Sequence, residues 1–206
     1  MGTPVTNYLF PLAPIDELAA VNEMLRIIGE PPVNSLSDAD VTEASIARQV
    51  LHYVSREVQT LGLHSNTEEM YKFQPDEGGD IYVPSNVLKL DASHHLVDVT
   101  LRGLHLYDKD NHTYTFNAPV ECDVVWFLPW DNLPQHVRQY VLLKAGRMFV
   151  VRMEGAGDIY NMTEKDEEEA RQAFLAAEME NGDYNILNSY DAYRVVDRLQ
   201  NPRRVR

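Results

Sequence analysis

Residues 16–32 have the sequence DELAAVNEMLRIIGEPP, and this stretch sets the fold of the N-terminal part of the chain. Its larger apolar residues recur at three- and four-residue intervals, the spacing that places side chains on one face of an α-helix. They are Leu18, Val21, Leu25 and Ile28. Gly29 and the pair Pro31-Pro32 indicate a helix end, because proline cannot continue helical hydrogen bonding. The stretch therefore predicts an amphipathic helix with a firm end.

A second amphipathic helix is predicted before Gly62. Ser37, Asp38 and Asp40 are residue types favoured at helix N-termini, and Gly62 marks the end of the pattern. The apolar residues with helical spacing are Ala47, Val50, Leu51, Val54, Val58 and Leu61. Since neither helix can bury its single apolar stripe alone, we expect the two to pack as an antiparallel hairpin.

The segment from Thr67 to Leu128 changes to short runs of β-branched and aromatic residues, separated by Gly78-Gly79, by Pro84 and by a turn-forming cluster. This pattern predicts four or five strands. The predicted strands are Ile81–Val83, Val87–Leu90, Val97–Tyr107, Thr113–Phe116 and Val120–Leu128. The cluster Asp108-Lys109-Asp110-Asn111 is expected to turn one hairpin.

Helical spacing returns after Pro129, with Pro134 near the first turn of a third helix that Gly155 to Gly157 ends. Its predicted buried face consists of Val137, Tyr140, Val141, Ala145, Met148 and Phe149. A fourth helix is expected to open with Thr163 and Asp166 as a capping pair and to end at Asn181-Gly182. Its predicted buried side consists of Ala170, Ala173, Phe174 and Ala177.

Together these patterns predict an α+β fold. Residues 15–66 and 129–182 form a discontinuous antiparallel four-helix bundle, into which a small antiparallel β-domain, residues 67–128, is inserted. Residues 183–206 are expected to form an extended C-terminal arm, and residues 1–14 a flexible N-terminal extension.

The composition argues against a nucleic-acid-binding or secreted protein. The 206 residues include 18 Lys and Arg against 32 Asp and Glu, a formal net charge of −14 that should repel phosphate backbones. The single cysteine, Cys122, lies among valines, which predicts a buried thiol in a reducing compartment. We recognise neither a secretion signal nor an apolar run of membrane-spanning length, so a soluble chain is expected.

The common catalytic motifs are not recognisable, so we predict no catalytic, cofactor-binding or metal-binding residue and no cofactor. His94-His95 beside Asp91 and Asp98 could suggest a metal site. Successive side chains on a strand point to opposite faces, however, so exposed loop residues are favoured. His105 and His112, near the Asp108 turn, are interpreted as surface histidines.

Three further features allow either a ligand site or a plain structural role. The acids Glu164, Asp166, Glu167, Glu168 and Glu169 could supply the carboxylate pair of a glycoside hydrolase, but their crowding on one helical turn favours a solvated face. The aromatics Trp126, Phe127 and Trp130 could stack on sugar rings, although core packing is favoured. The Gly155 to Gly157 segment could bind phosphate or simply join two helices.

The sequences of several short segments, and their order along the chain, resemble the tail tubular protein A family of short-tailed podoviruses, over roughly residues 15 to 188. The segments are Asp16–Asn22, Ile28–Val33, Ser55–Gln59, Asn66–Glu69, Val83–Asn86, Arg102-Gly103, Leu106–Asp108, Leu133-Pro134, Asp166-Glu167 and Asp183–Asn185. The chain departs from the family at Leu63 and Ser65, where the family tends to have aromatic residues, which leaves the local packing open.

The resemblance implies a structural virion protein without enzymatic activity. Such a protein would be a tail adaptor subunit, assembled in the host cytoplasm as a homo-oligomer into a twelve-fold ring of the virion tail. The ring would connect the portal protein to the tail nozzle protein and form part of the DNA ejection channel, through which DNA passes without sequence-specific binding. The alternatives are a virion-associated glycan hydrolase acting on host capsule or cell wall, and a soluble binding module unrelated to phage.

The C-terminal arm is the segment that most suggests oligomerisation. It combines tyrosines with charged residues, a composition typical of contact surfaces with a polar rim, and its last thirteen residues concentrate arginine, including Arg206. A solubilising, frayed terminus is the alternative. The candidate oligomer or portal contacts are Tyr184, Tyr190, Tyr193, Arg194, Arg198, Arg203 and Arg204.

Overall fold

A computed structural model of the chain describes residues 14–37, 42–93, 97–155 and 158–181. Within these residues the chain forms four α-helices and two antiparallel sheets, which agrees with the predicted α+β class. The helices are α1 (Glu17–Ile27), α2 (Thr42–Gln59), α3 (Gln135–Glu154) and α4 (Asp158–Asn181). The strands are β1 (Thr67–Phe73), β2 (Val87–Ala92), β3 (Val99–Arg102), β4 (His105–Asp108) and β5 (Val120–Trp126).

Helix α1 begins and ends where the sequence predicts. The side chain of Asp16 accepts a hydrogen bond from the Ala19 amide, so it satisfies one of the free N–H groups of the first turn. After the helix, Asn22 holds the returning chain by two hydrogen bonds to the backbone of Val33. These local bonds fix the start of α1 and the course of the chain that follows it.

One hydrophobic cluster joins α1, α2 and α3 and includes Phe174 of α4. The stripes predicted for α2 and α3 lie in it, with Met148 only partly buried. Leu61 is a correction, since α2 ends at Gln59 and the Leu61 side chain is 70% exposed in the turn that follows. Asp38 and Asp40, predicted to begin α2, lie outside the described residues. A core truncation such as Leu51→Ala should cost ~2–5 kcal/mol.

The second hydrophobic cluster draws on both sheets. The three-stranded sheet has the order β1-β5-β2, and β3 pairs with β4. Cys122 and Val124 of β5 face residues of β3 and β4, among them Val99 and Leu106. We call this face of the three-stranded sheet its inner face and the opposite face its outer face. Side chains alternate between the two faces along each strand.

Several strand predictions need correction. The single strand predicted at Val97–Tyr107 is wrong, because Gly103 at a φ of +67° turns the chain between β3 and β4. The predicted segments 81–83 and 113–116 contribute isolated bridges only, such as Tyr82 with His105. The turn at Gly79 requires glycine, since a Cβ there would lie 2.6 Å from Cγ2 of Thr115. Strand β1 was not predicted at all.

Helix α4 starts earlier than predicted. Its first residue is Asp158, so Thr163 and Asp166 lie inside the helix and do not cap it. The helix begins this early because no glycine or proline follows the break at Gly155 to Gly157 until the helix ends. Phe174 is 3% exposed, whereas Ala173 is exposed, because α4 buries only a narrow stripe. Among the described helices, none combines the length and apolar character needed to cross a bilayer.

Candidate assembly surface

Strand β1 lies at an edge of the three-stranded sheet, where β5 pairs with one side of its backbone and no described strand pairs with the other. Its first six residues are exposed and only Phe73 is buried. Met70 has a φ of +56° and marks a β-bulge, at which the register shifts between Glu68 and Tyr71. An exposed edge of this kind is open to the addition of another strand.

The carboxylate of Asp123 holds the bulge in place. Its Oδ1 accepts hydrogen bonds from the Met70 amide at 3.0 Å and from Oγ of Ser93 at 2.6 Å. On the neighbouring strand, Asp91 lies directly opposite Asp123, so two acidic side chains share the outer face. The surface beside the bulge is therefore acidic.

The same outer face contains one ion pair that involves β1. Nζ of Lys72 lies 2.9 Å from Oε1 of Glu121, and this hydrogen bond and the charge of Glu121 raise the pKa of Lys72 above its usual value. Glu121 offsets the charge of Lys72, and Asp91 and Asp123 add two carboxylates to this face, on which Lys89 of β2 also lies.

The inner face of β1 is aromatic. The centroid of the Tyr71 ring lies 4.9 Å from the ring centroid of Phe73 and 5.3 Å from that of Trp126. Tyr71 remains 39% exposed. Cys122 lies opposite Tyr71 and is fully buried, as predicted. Burial, with smaller contributions from Asp123 and Asp91, raises the pKa of the Cys122 thiol to about 12. The free edge thus has an aromatic side and an acidic side.

Helix α4 ends beside the start of β1. Its Phe174 ring stacks on Tyr140 of α3 with the ring centroids 4.9 Å apart. One turn later, Glu178 binds two partners: Oε1 lies 2.7 Å from Nε2 of His136, and Oε2 accepts from the His64 amide at 2.9 Å. His64 precedes β1 by three residues, so the chain leaves the described part of α4 close to this strand.

Two buried amide side chains connect α2 to the end of β5. Gln59 donates to the Leu128 carbonyl at 3.1 Å and accepts from the Leu128 amide at 2.7 Å. Asn66 accepts from the Leu63 amide at 2.7 Å and donates to the carbonyls of Gln59 and Trp126. Because both residues are almost fully buried, these bonds fix the orientation of the sheet relative to α2.

Ile15, two residues before α1, is fixed to the segment that leads into α3 and to its first turn. The Ile15 amide donates to Gln135, and the Ile15 carbonyl accepts from Nε1 of Trp130 and from the guanidinium of Arg138. Arg138 is 6% exposed and also donates to the carbonyls of Leu133 and Asp131. Three backbone carbonyls therefore satisfy the buried charge.

The predicted contact residues of the arm lie outside the described residues and stay predictions. These residues are Tyr184, Tyr190, Tyr193, Arg194, Arg198, Arg203 and Arg204. His94 and His95 also lie outside the described residues. Asp91 and Asp98 are described, and Asp98 accepts from Lys109 at 2.6 Å. In the part of the chain that the structure describes, no three His, Cys, Asp or Glu side chains come together in a metal-binding group.

The other ambiguous residues have structural contacts. Glu168 and Glu169 are exposed and face partners along α4, as a solvated face predicts. Glu167 departs from that prediction, because its side chain is only 17% exposed and pairs with Arg147 of α3 at 2.9 Å. Trp130 lies in the helical core and Trp126 packs against the core of the sheets, so core packing is confirmed for the two tryptophans. Phe127 belongs to neither cluster and lies under the guanidinium of Arg56, whose Cζ is 4.6 Å from the ring centroid. Leu63, where the packing was open, is buried in the helical core.

Strand β1, the junction of Gln59 and Asn66 and the role of Arg138 were not predicted from the sequence. The one usable signal for β1 was its threonine and aromatic content, but its exposed polar residues obscure any alternation. The junction residues carry no local pattern, because their partners on β5 and beyond are about sixty or more positions away in sequence.

Comparisons with known proteins agree with the resemblance drawn from the sequence. A family model described as tail tubular protein matches residues 18–184. The chain is also similar to tail tubular protein A of Klebsiella phage KP34, with 29% identity over 125 residues. That alignment covers 61% of this chain and 66% of the relative, just under two thirds of the relative's length. The chain therefore belongs to the tail tubular protein family and is a structural protein of a phage tail.

Proposed function

We propose that this protein is a tail adaptor: a non-enzymatic ring subunit that connects the portal protein to the tail nozzle protein. Twelve copies would form the ring, assembled in the host cytoplasm and retained in the virion tail. The observation that carries the proposal is the family match over residues 18–184. A connector must transmit load between two partners, and the buried junction of Gln59 and Asn66 gives the body the rigidity that this role needs.

The charge of the chain suits a subunit of the DNA ejection channel. At −14 per chain, a ring of twelve would carry a formal charge of −168, twelve times the single value. Acidic walls repel the phosphate backbone, so DNA could pass without being held.

We propose the following organisation for the subunit. Residues 15–66 and 129–182 form a discontinuous four-helix bundle, residues 67–128 a β-domain, and residues 183–206 an arm, while residues 1–14 form an N-terminal extension. Two separate hydrophobic clusters support the division between helices and sheets. The fixed backbone of Ile15 supports a boundary just before α1.

We further propose that the arm contacts the portal or a neighbouring subunit through its tyrosines and arginines. The experiment compares binding of a purified portal ring by the full chain and by a variant in which Arg194, Arg198, Arg203 and Arg204 are replaced by glutamate. Binding should weaken at least tenfold, which corresponds to about 1.4 kcal/mol.

A matched variant carries lysine at the same four positions, which keeps the charge and removes only the planar guanidinium geometry, so it should bind the portal more tightly than the glutamate variant does. Equal portal binding by the glutamate variant and the full chain would remove the arm from the interface. A full chain that does not bind the portal at all would overturn the adaptor proposal itself.

A further inference from the structure

The free edge of β1 is an interaction surface that the described chain leaves uncovered. Proteins normally cover or blunt such edges, because unpaired backbone groups recruit other strands. Here the bulge at Met70 and the charged side chains of Glu68, Glu69 and Lys72 blunt the edge only in part, since Met70 and Tyr71 remain exposed. A covering strand would need apolar side chains toward Tyr71 and basic side chains toward Asp123.

We propose that residues 193–198 of the same chain add a strand to this edge. Their sequence, YRVVDR, places apolar side chains at 193 and 195 and arginines at 194 and 198, and only Val196 and Asp197 depart from the alternation that the surface requires. In an extended strand Tyr193 and Val195 share one face, and Arg194 and Arg198 share the other with Val196. The face with Tyr193 and Val195 suits the aromatic side of the edge, and the face with Arg194 and Arg198 suits its acidic side. Asp197 also lies on the face of Tyr193, at its end.

The exit point of α4 brings this segment within reach. Glu178 binds the His64 amide just before β1, and the last described residue of α4 is Asn181. Eleven residues, 182–192, separate Asn181 from Tyr193. Fully extended they span up to ~36–40 Å. The seven residues of β1 span only ~23 Å, so the segment can reach either end of the strand.

Charge complementarity supports the same occupant. The last thirteen residues contain five arginines and one aspartate, whereas the chain as a whole has a net charge of −14. The proposal concerns the isolated chain and does not depend on ring formation. Of the arm residues proposed as portal contacts, Arg203 and Arg204 lie beyond the added strand and stay available, whereas Tyr193, Arg194 and Arg198 are paired with β1 in the isolated chain and would have to be released to contact the portal.

Hydrogen exchange of the backbone amides of β1 tests the proposal in the full chain and in a chain that ends at residue 192. Pairing should slow exchange of the outward-facing amides of 67–73 by at least about tenfold, and truncation should remove this protection. Exchange in β5 and α2 should not change, which shows that the body remains folded. Equal exchange of β1 in both chains would overturn the proposal.

Two charge variants distinguish pairing of β1 with the specific segment 193–198 from nonspecific electrostatic attraction between the basic tail and the acidic body. The pair Arg194→Glu and Arg198→Glu should expose the β1 amides, whereas Arg203→Glu and Arg204→Glu, an identical change of charge beyond the strand, should not. Equal effects of both pairs would contradict the assigned segment. Protection of β1 that disappears on dilution would show that a second copy is the partner, and would overturn pairing within one chain.

Discussion

Removal of the Asn66 side chain should destabilise the protein more than its small size suggests. In Asn66→Ala the buried Leu63 amide loses its acceptor, and the carbonyls of Gln59 and Trp126 lose a donor. Gln59 keeps one bond, from the Gly62 amide, so its loss is the mildest. At ~1 kcal/mol for each bond, and more for an orphaned buried amide, the expected loss is ~3 kcal/mol of unfolding free energy.

Urea denaturation at neutral pH measures this loss directly. The variant should unfold at a lower urea concentration with an unchanged slope, since the surface exposed on unfolding stays the same. Asn117→Ala removes the same atoms from an exposed asparagine and should shift stability by less than ~0.5 kcal/mol. A loss below ~1 kcal/mol for Asn66→Ala would refute the claim that this side chain fixes the junction.

A second substitution at the same position separates hydrogen bonding from packing. In Asn66→Asp the introduced carboxylate faces the carbonyls of Gln59 and Trp126, so burial and repulsion raise its pKa. The folded state then binds the proton more tightly than the unfolded state. Destabilisation should therefore be greatest at neutral pH and should decrease as the pH falls through the raised pKa. A pH-independent loss would contradict this geometry.

Three further predictions test other parts of the fold. Phe174→Ala should cost ~3 kcal/mol and expose α4 to hydrogen exchange, because it removes the stack on Tyr140, whereas Leu175→Ala, at a position 38% exposed, should have little effect. Burial raises the pKa of Glu17, but hydrogen bonds from Arg48 and His52 outweigh it and lower the pKa below 4.5. Glu17→Gln should therefore lower the free energy of unfolding by ~0.5–1 kcal/mol at neutral pH and should have no effect once the pH falls below the lowered pKa. Urea denaturation at the two pH values measures both. The thiol of Cys122 should react with a disulfide-exchange reagent only after unfolding, since its pKa is about 12, and rapid reaction of the native chain would contradict its burial.

The helices could be predicted from the sequence because their signal is local. The apolar stripes of α1, α2 and α3 repeat over several turns, and Gly29 and Gly155 lie where the helices end. The start of α4 was predicted less well. It depends on the absence of a helix-breaking residue after Gly157, and not on Thr163 and Asp166, which were predicted to cap the helix. The exposure of Ala173 depends on how few elements cover α4, which no local pattern records.

Strand pairing and the candidate surface could not be predicted in the same way. The first six residues of β1 are exposed and do not alternate between polar and apolar, so only pairing with β5, some fifty residues away, makes them a strand. In the segment 97–107 the apolar residues change from odd to even positions at Gly103, and this shift and the glycine are the local signals of the turn that the single predicted strand passed over. Gln59 and Asn66 have the composition of surface residues, and their role follows from contacts between distant segments.

The measurement that tests the adaptor proposal most directly is the solution mass of the purified chain, alone and mixed with the portal ring of its phage. The proposal predicts a monomer that loads onto the portal as a ring of about twelve copies. A chain that ignores the portal and cleaves polysaccharide, at a rate abolished by single carboxylate substitutions, would contradict it and identify a glycan hydrolase instead.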